Sequence, residues 1–163
     1  MVVLALPPTN SVFINSNDWL GLTYRLTLAL LVGGVIGWER QGAGKAAGLR
    51  THTLVSLGSA LFVLIPLLAS SSSSIDSVSR AIQGVATGVG FLGAGEILHK
   101  SGREPHKLSI KGLTSAATIW LTAALGIAAG CGFWQLCLLS TVMTLLILSV
   151  AKHLERVVFH RDD

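Results

Sequence analysis

The sequence predicts an all-α fold: a polytopic transmembrane helical bundle of about five spans, with its N-terminus outside and its C-terminus in the cytoplasm. Three observations lead there. The 163 residues are 51% hydrophobic and only 12% charged, against about 25% charged in an average soluble domain. Mean hydropathy is +0.67, which belongs to the membrane class. The apolar runs are long and unbroken rather than alternating, so helices and not a barrel are expected.

Crossing the hydrocarbon core takes about 20 apolar residues. The segment 1–18 carries Pro7 and Pro8 without a positive n-region, and reads as an external N-terminal lead rather than a signal peptide. The first span covers 20–38, with Trp19 and Tyr24 suited to the interface and Arg25 near enough to the outer end to snorkel to water. The second covers 53–69, where Pro66 is expected to kink or end the helix, and the serines that follow read as an exposed loop. The third, 81–98, is rich in glycine and contains Glu96. Residues 112–151 hold no charge, too long a run for one span at about 1.5 Å per residue. Gly126, Gly130 and Gly132 suggest a break, which divides the run into spans 113–129 and 133–150. Residues 152–163 form a basic tail expected to lie against anionic headgroups.

Basic residues orient the bundle. The first connection holds Arg40, Lys45 and Arg50; the third holds Lys100, Arg103, Lys107 and Lys111; the tail holds Lys152, Arg156 and Arg161. The second holds only Arg80 and the fourth none. Five spans put all three rich segments on the cytoplasmic side.

Helices in lipid associate through small residues. Gly34 and Gly37 supply them in the first span, and Gly84, Gly88, Gly90, Gly93 and Gly95 in the third. These glycines predict that the third span is the most buried helix, touching the first and fourth. Cys131 and Cys137 are expected to be small, unbridged core residues.

Four strings are more specific: Gly34-Val-Ile-Gly-Trp-Glu-Arg40, Ala47-Gly-Leu-Arg-Thr-His-Thr-Leu-Val-Ser-Leu-Gly58, Gly88-Val-Gly-Phe-Leu-Gly-Ala-Gly95, and Gly112-Leu-Thr-Ser-Ala-Ala-Thr-Ile-Trp120 followed by Ala123-Ala-Leu-Gly126. In this order they resemble the bacterial MgtC/SapB membrane protein family across nearly the whole chain. The resemblance implies a multi-pass protein of the bacterial inner membrane, linked to adaptation to low magnesium and, in pathogens, to survival in the host. It implies regulation of other membrane machinery, the F-type ATP synthase and transporters among them. Virulence-associated members carry a further soluble C-terminal domain, whereas this sequence ends at Asp163 and is expected to be a short form. Those members have Asn where Thr114 stands and Cys where Leu121 stands, so roles tied to those side chains are not carried over.

Charged and polar groups at a membrane border are functional candidates. Glu39, Arg40, Arg50, Thr51, His52, Glu96 and Thr114 all fall at the cytoplasmic border, where Glu39 and Glu96 are expected to pair with Arg40 and Arg50. His52 is read as a solvated interface histidine. No catalytic residue, cofactor or metal site is assigned: GxSxG, Walker, HExxH and CxxC patterns are absent, and the chain is not read as an enzyme. The expected partners are the bilayer and a membrane protein, a second copy of this chain included; nothing points to nucleic acid. Two functions stay open, a regulator acting by helix contact and a small oligomeric cation (Mg2+) transporter or channel.

Overall fold

The computed structural model describes residues 18–69, 74–101 and 112–159. Five helices follow in order: α1 (Trp19–Gly42), α2 (Leu49–Ala69), α3 (Ser74–Ser101), α4 (Leu113–Gly130) and α5 (Trp134–Phe159). The lead 1–17, the serines 70–73, the loop 102–111 and the chain end 160–163 lie outside the described residues. α1, α2, α3 and α4 are each long and apolar enough to cross a membrane. α5 has a shorter apolar portion, Trp134–Val150. Helices satisfy their own backbone groups, which is what lets them cross hydrocarbon.

Local chemistry sets the helix ends. Asp18 begins α1 by accepting the Gly21 N–H at 2.9 Å, the usual service of an N-cap carboxylate. Gln41 Oε1, from the end of α1, accepts the Leu49 N–H at 3.3 Å and so helps hold the start of α2. Pro66 does not end α2, which runs on to Ala69. Lying so near the C-terminal end, it removes one ladder bond where few remain. Between α4 and α5 the turn passes through Gly132 at φ +83°, a conformation that favours glycine. Gly126 and Gly130 are not part of that break; both lie inside α4.

The core forms where α1, α2 and α4 meet. α4 touches every other helix, while among the described residues α3 makes no contact with α1 or α5. In α4 56% of the span is buried, against 17% in α3. The expectation that α3 is the most buried helix and packs on α1 is therefore corrected. The reason lies in which glycines meet a neighbour. A methyl group on Gly37 would come within 2.7 Å of the Leu49 Cα, and one on Gly33 within 2.7 Å of the His52 carbonyl. One on Gly126 would run into the Ser56 backbone. Gly34 has ordinary contacts with Thr53 and Leu49, and Gly93 with Ala116, whereas a methyl at Gly84, Gly88, Gly90 or Gly95 would meet nothing within 4 Å. Within this chain those four do not pack helices.

Arg25 does not snorkel. It is 8% exposed and its Nη1 donates to the Gly130 carbonyl at 2.8 Å, closing the C-terminal end of α4. Both cysteines are free and buried, as expected, though Cys131 lies in the turn and only Cys137 on α5. Burial pushes the Cys131 thiol up, with the nearby Arg25 charge opposing.

Candidate site at the α1–α2 end of the bundle

The last turn of α1 and the first turn of α2 are brought together by the short connection between them. There Arg40 Nε donates to Glu39 Oε2 at 2.6 Å. The guanidinium side chain is nearly shut from solvent at 4% exposure and the carboxylate is at 21%. Charge-assisted contacts of this kind are short and strong. The local fold also holds Arg40 by its backbone, whose carbonyl accepts the Lys45 N–H at 3.0 Å.

His52 sits beside this pair and is fully buried at 0% exposure, which corrects the solvated reading. Its Nδ1 donates to the Gly48 carbonyl at 2.9 Å; a carbonyl can only accept, so the proton is on Nδ1. Nε2 faces Thr118 Oγ1 on α4 at 3.5 Å. That hydroxyl donates in turn to the Ser115 carbonyl at 2.8 Å. The ring thus stands between α2 and α4, within electrostatic reach of Arg40 and Glu39 from α1 and of Glu96 from α3. Glu96 is half-buried, with its Oε1 closed off from solvent.

The structure therefore brings together Glu39, Arg40, His52 and Glu96. Arg50, Thr51 and Thr114 lie exposed and outside this group. The expected pairing of Arg50 with a carboxylate is replaced by the Arg40–Glu39 pair. Positions 50 and 52 of one helix stand about 200° apart around its axis, so a buried His52 turns Arg50 outward. Arg50 and Thr51 instead line a separate recess with Gln41 and Lys45.

Sequence reasoning missed the other half of the junction. His52, Ser56 and Ser59 on α2 are buried opposite Ser115, Thr118 and Thr122 on α4, all at 4% exposure or less. Their spacings are three and four residues, which puts each set on one helix face. That periodicity was a usable signal. The hydroxyls of Ser59 and Thr122 bond back to carbonyls of their own helices, Val55 and Thr118, so they cost little in an apolar junction.

Replacing His52 with leucine keeps the volume and removes the ring's bond to the Gly48 carbonyl, which still accepts the backbone N–H of residue 52 at 3.2 Å. A loss of about 1 kcal/mol, the net worth of one such bond, is expected, read as the unfolding free energy in mixed micelles. Thr118→Val removes only the long 3.5 Å contact to the ring and the bond to Ser115, so it is expected to cost less, about 0.5 kcal/mol. An unchanged stability in His52→Leu would show that the ring acts only by filling space.

Among the described residues no group of three His, Cys, Asp or Glu is placed to hold a metal ion. What the site holds is a buried imidazole between α2 and α4, with the partly buried Arg40–Glu39 pair of α1 and the Glu96 carboxylate of α3 within electrostatic reach.

No solved structure matches the chain. Protein SrpB of Synechococcus elongatus is 54% identical over 159 residues, covering 94% of this chain and 87% of SrpB. YhiD of Escherichia coli K12, provisionally named a magnesium transporter, is 47% identical over 135 residues, covering 80% of this chain and 60% of YhiD. Protein MgtC of Brucella abortus is 40% identical over 129 residues, covering 79% of this chain and 50% of MgtC. The chain thus spans most of SrpB but only about half to three-fifths of the other two relatives. The MgtC family profile matches residues 26–157, from the second turn of α1 to the last turn of α5. This membrane protein belongs to the MgtC family.

Proposed function

We propose that this protein regulates another membrane protein by helix–helix contact, in adaptation to magnesium shortage or stress, from the bacterial inner membrane with its α1–α2 end in the cytoplasm. The observation that carries the reading is the outward face of α3. Gln83, Thr87, Gly90 and Ala94 are all exposed and share that face by their three- and four-residue spacing. Thr87 bonds back to the Gln83 carbonyl at 2.9 Å. Gln83 lies about 14 Å along the helix from Ser74, at a rise of about 1.5 Å per residue, so its amide is presented where lipid tails would be. An amide and small residues on one face suit a neighbouring helix better than lipid, because amides bond across helices and small residues admit close approach. The link to magnesium rests on the family and on the name of the YhiD relative.

Introducing Gly90→Cys and crosslinking in native membranes under magnesium starvation is expected to trap a membrane protein of another kind. The crosslink is expected to fall about five- to thirtyfold when Gln83→Leu is added, as loss of a bond worth about 1–2 kcal/mol between helices would give. Recovery of this chain alone, at high and low magnesium, counts against the reading.

The second reading is cation transport, favoured by two carboxylates, Glu39 and Glu96, acting on one site. A divalent cation takes six or more oxygens, and Glu39 is already engaged by Arg40. Several copies would have to share a path. Magnesium flux in proteoliposomes that disappears in Glu96→Gln would favour this reading over the first.

A further inference from the structure

α2 and α3 diverge enough to leave an apolar groove of about 600 Å³ between them. Leu54 and Phe62 wall it on α2 and Leu92 on α3, while Gly84 and Gly88 leave that side open. This is a different face of α3 from the one that carries Gly90: residues 88 and 90 stand about 200° apart around the helix. At the Leu54 end a second space opens, a recess of about 410 Å³ lined by Lys45, Arg50, Thr51 and Gln41. Lys45 and Arg50 are exposed, and no Asp or Glu lines the recess. The two spaces share no lining residue, and along α2 the one nearest to both is Thr51. It lines the recess, and Leu54 and Val55, one helical turn further on, line the groove.

We propose that groove and recess form one site for an anionic phospholipid, with an acyl chain along the groove and the headgroup phosphate between Lys45 and Arg50. The occupant follows from the charge and polarity of the two spaces. A groove facing hydrocarbon is filled by something apolar, and lipid tails are as apolar as its walls. The tail therefore fits without discriminating between lipids. Discrimination comes from the recess, where two cations and a hydroxyl meet a phosphate-bearing group at the membrane border, as juxtamembrane basic residues do. Arginine suits this task through its planar donors and lysine through its compact charge. The site does not depend on the regulatory reading, which uses the opposite face of α3.

The test uses the full chain in nanodiscs holding equal parts phosphatidylglycerol and phosphatidylcholine of the same acyl length, followed by native mass spectrometry. One phosphatidylglycerol per chain is expected to survive release, preferred about tenfold or more. The double variant Lys45→Gln/Arg50→Gln, at exposed positions, is expected to keep a bound lipid and lose the preference. Gly88→Leu, placed where no neighbour stands within 4 Å, is expected to fill the groove and lose both lipids. Equal retention of the two lipids by the unaltered chain would overturn the proposal, as would undiminished lipid binding in Gly88→Leu. Competition by water-soluble glycerol phosphate as strong as by the lipid would also overturn it, by showing that the tail plays no part. So would a Gly88→Cys disulfide between two copies of the chain, which would place a second protein helix in the groove.

Discussion

Gly126→Leu is expected to lower the stability of the folded bundle by about 3 kcal/mol or more, at the upper end of what overpacking costs. α2 and α4 approach closely at this glycine, where any added carbon runs into the backbone of Ser56. A backbone cannot rotate aside as a side-chain tip can. The helices would have to separate, and with them the buried junction that carries His52 and Thr118. Four residues further on, Gly130 meets the Ala60 carbonyl and the Val63 side chain in the same way, so separation at one glycine loosens the next. The matched control is Gly84→Ala on α3, where an added methyl meets nothing within 4 Å. Alanine is the better helix former by about 1 kcal/mol, so that variant is expected to be neutral or slightly more stable. Both are read from unfolding in mixed micelles by circular dichroism. If Gly84→Ala destabilises as much as Gly126→Leu, then α3 packs more tightly than its open flank indicates, against a second copy or a partner.

That contrast also shows what the sequence could reveal and what it could not. Which segments form long apolar helices was legible, because hydropathy reports them directly. The five helices overlap the five expected spans, and His52 lies within electrostatic reach of Glu39, Arg40 and Glu96. Direction around the axis was harder to read. In lipid both faces of a helix are apolar, so composition does not say which one meets a neighbour. Glycine is the most ambiguous letter of all. Gly37 and Gly126 permit close approach, while Gly84 and Gly90 stand open, and the letter is the same. Arg50 and His52 were grouped because they share a depth, yet they face opposite ways. The hydroxyls of Ser115, Thr118 and Thr122 carried the missing information in their spacing, since polar side chains repeated on one face of an apolar helix mark the side turned away from lipid.

Arg25 is the clearest case of a residue whose depth suggested one role and whose direction gives it another. A snorkelling arginine would be a cost borne for no contact, and its replacement by methionine would be neutral or stabilising, since charged residues are unfavourable within a span. The structure implies the opposite sign. The last carbonyls of a helix lack partners in their own ladder, and the C-terminal end of α4 carries the negative pole of its dipole. Arg25 meets both needs by donating to the Gly130 carbonyl at 2.8 Å. Its guanidinium also lies so close to Gly132 that a methyl there would come within 2.9 Å of it, so the α4–α5 turn is shaped around the cation. Arg25→Met is therefore expected to destabilise by about 1.5–3 kcal/mol, the range for a hydrogen bond to a charged group. Arg25→Lys keeps the charge but not the fork of donors, and is expected to recover part of the loss. The local signature is chemical. Cys131, at 5% exposure beside the guanidinium, is expected to resist maleimide in the unaltered protein and to react several-fold faster in Arg25→Met, because local opening governs access to a buried group. A stable Arg25→Met whose Cys131 stays protected would show that α4 ends without the arginine's help.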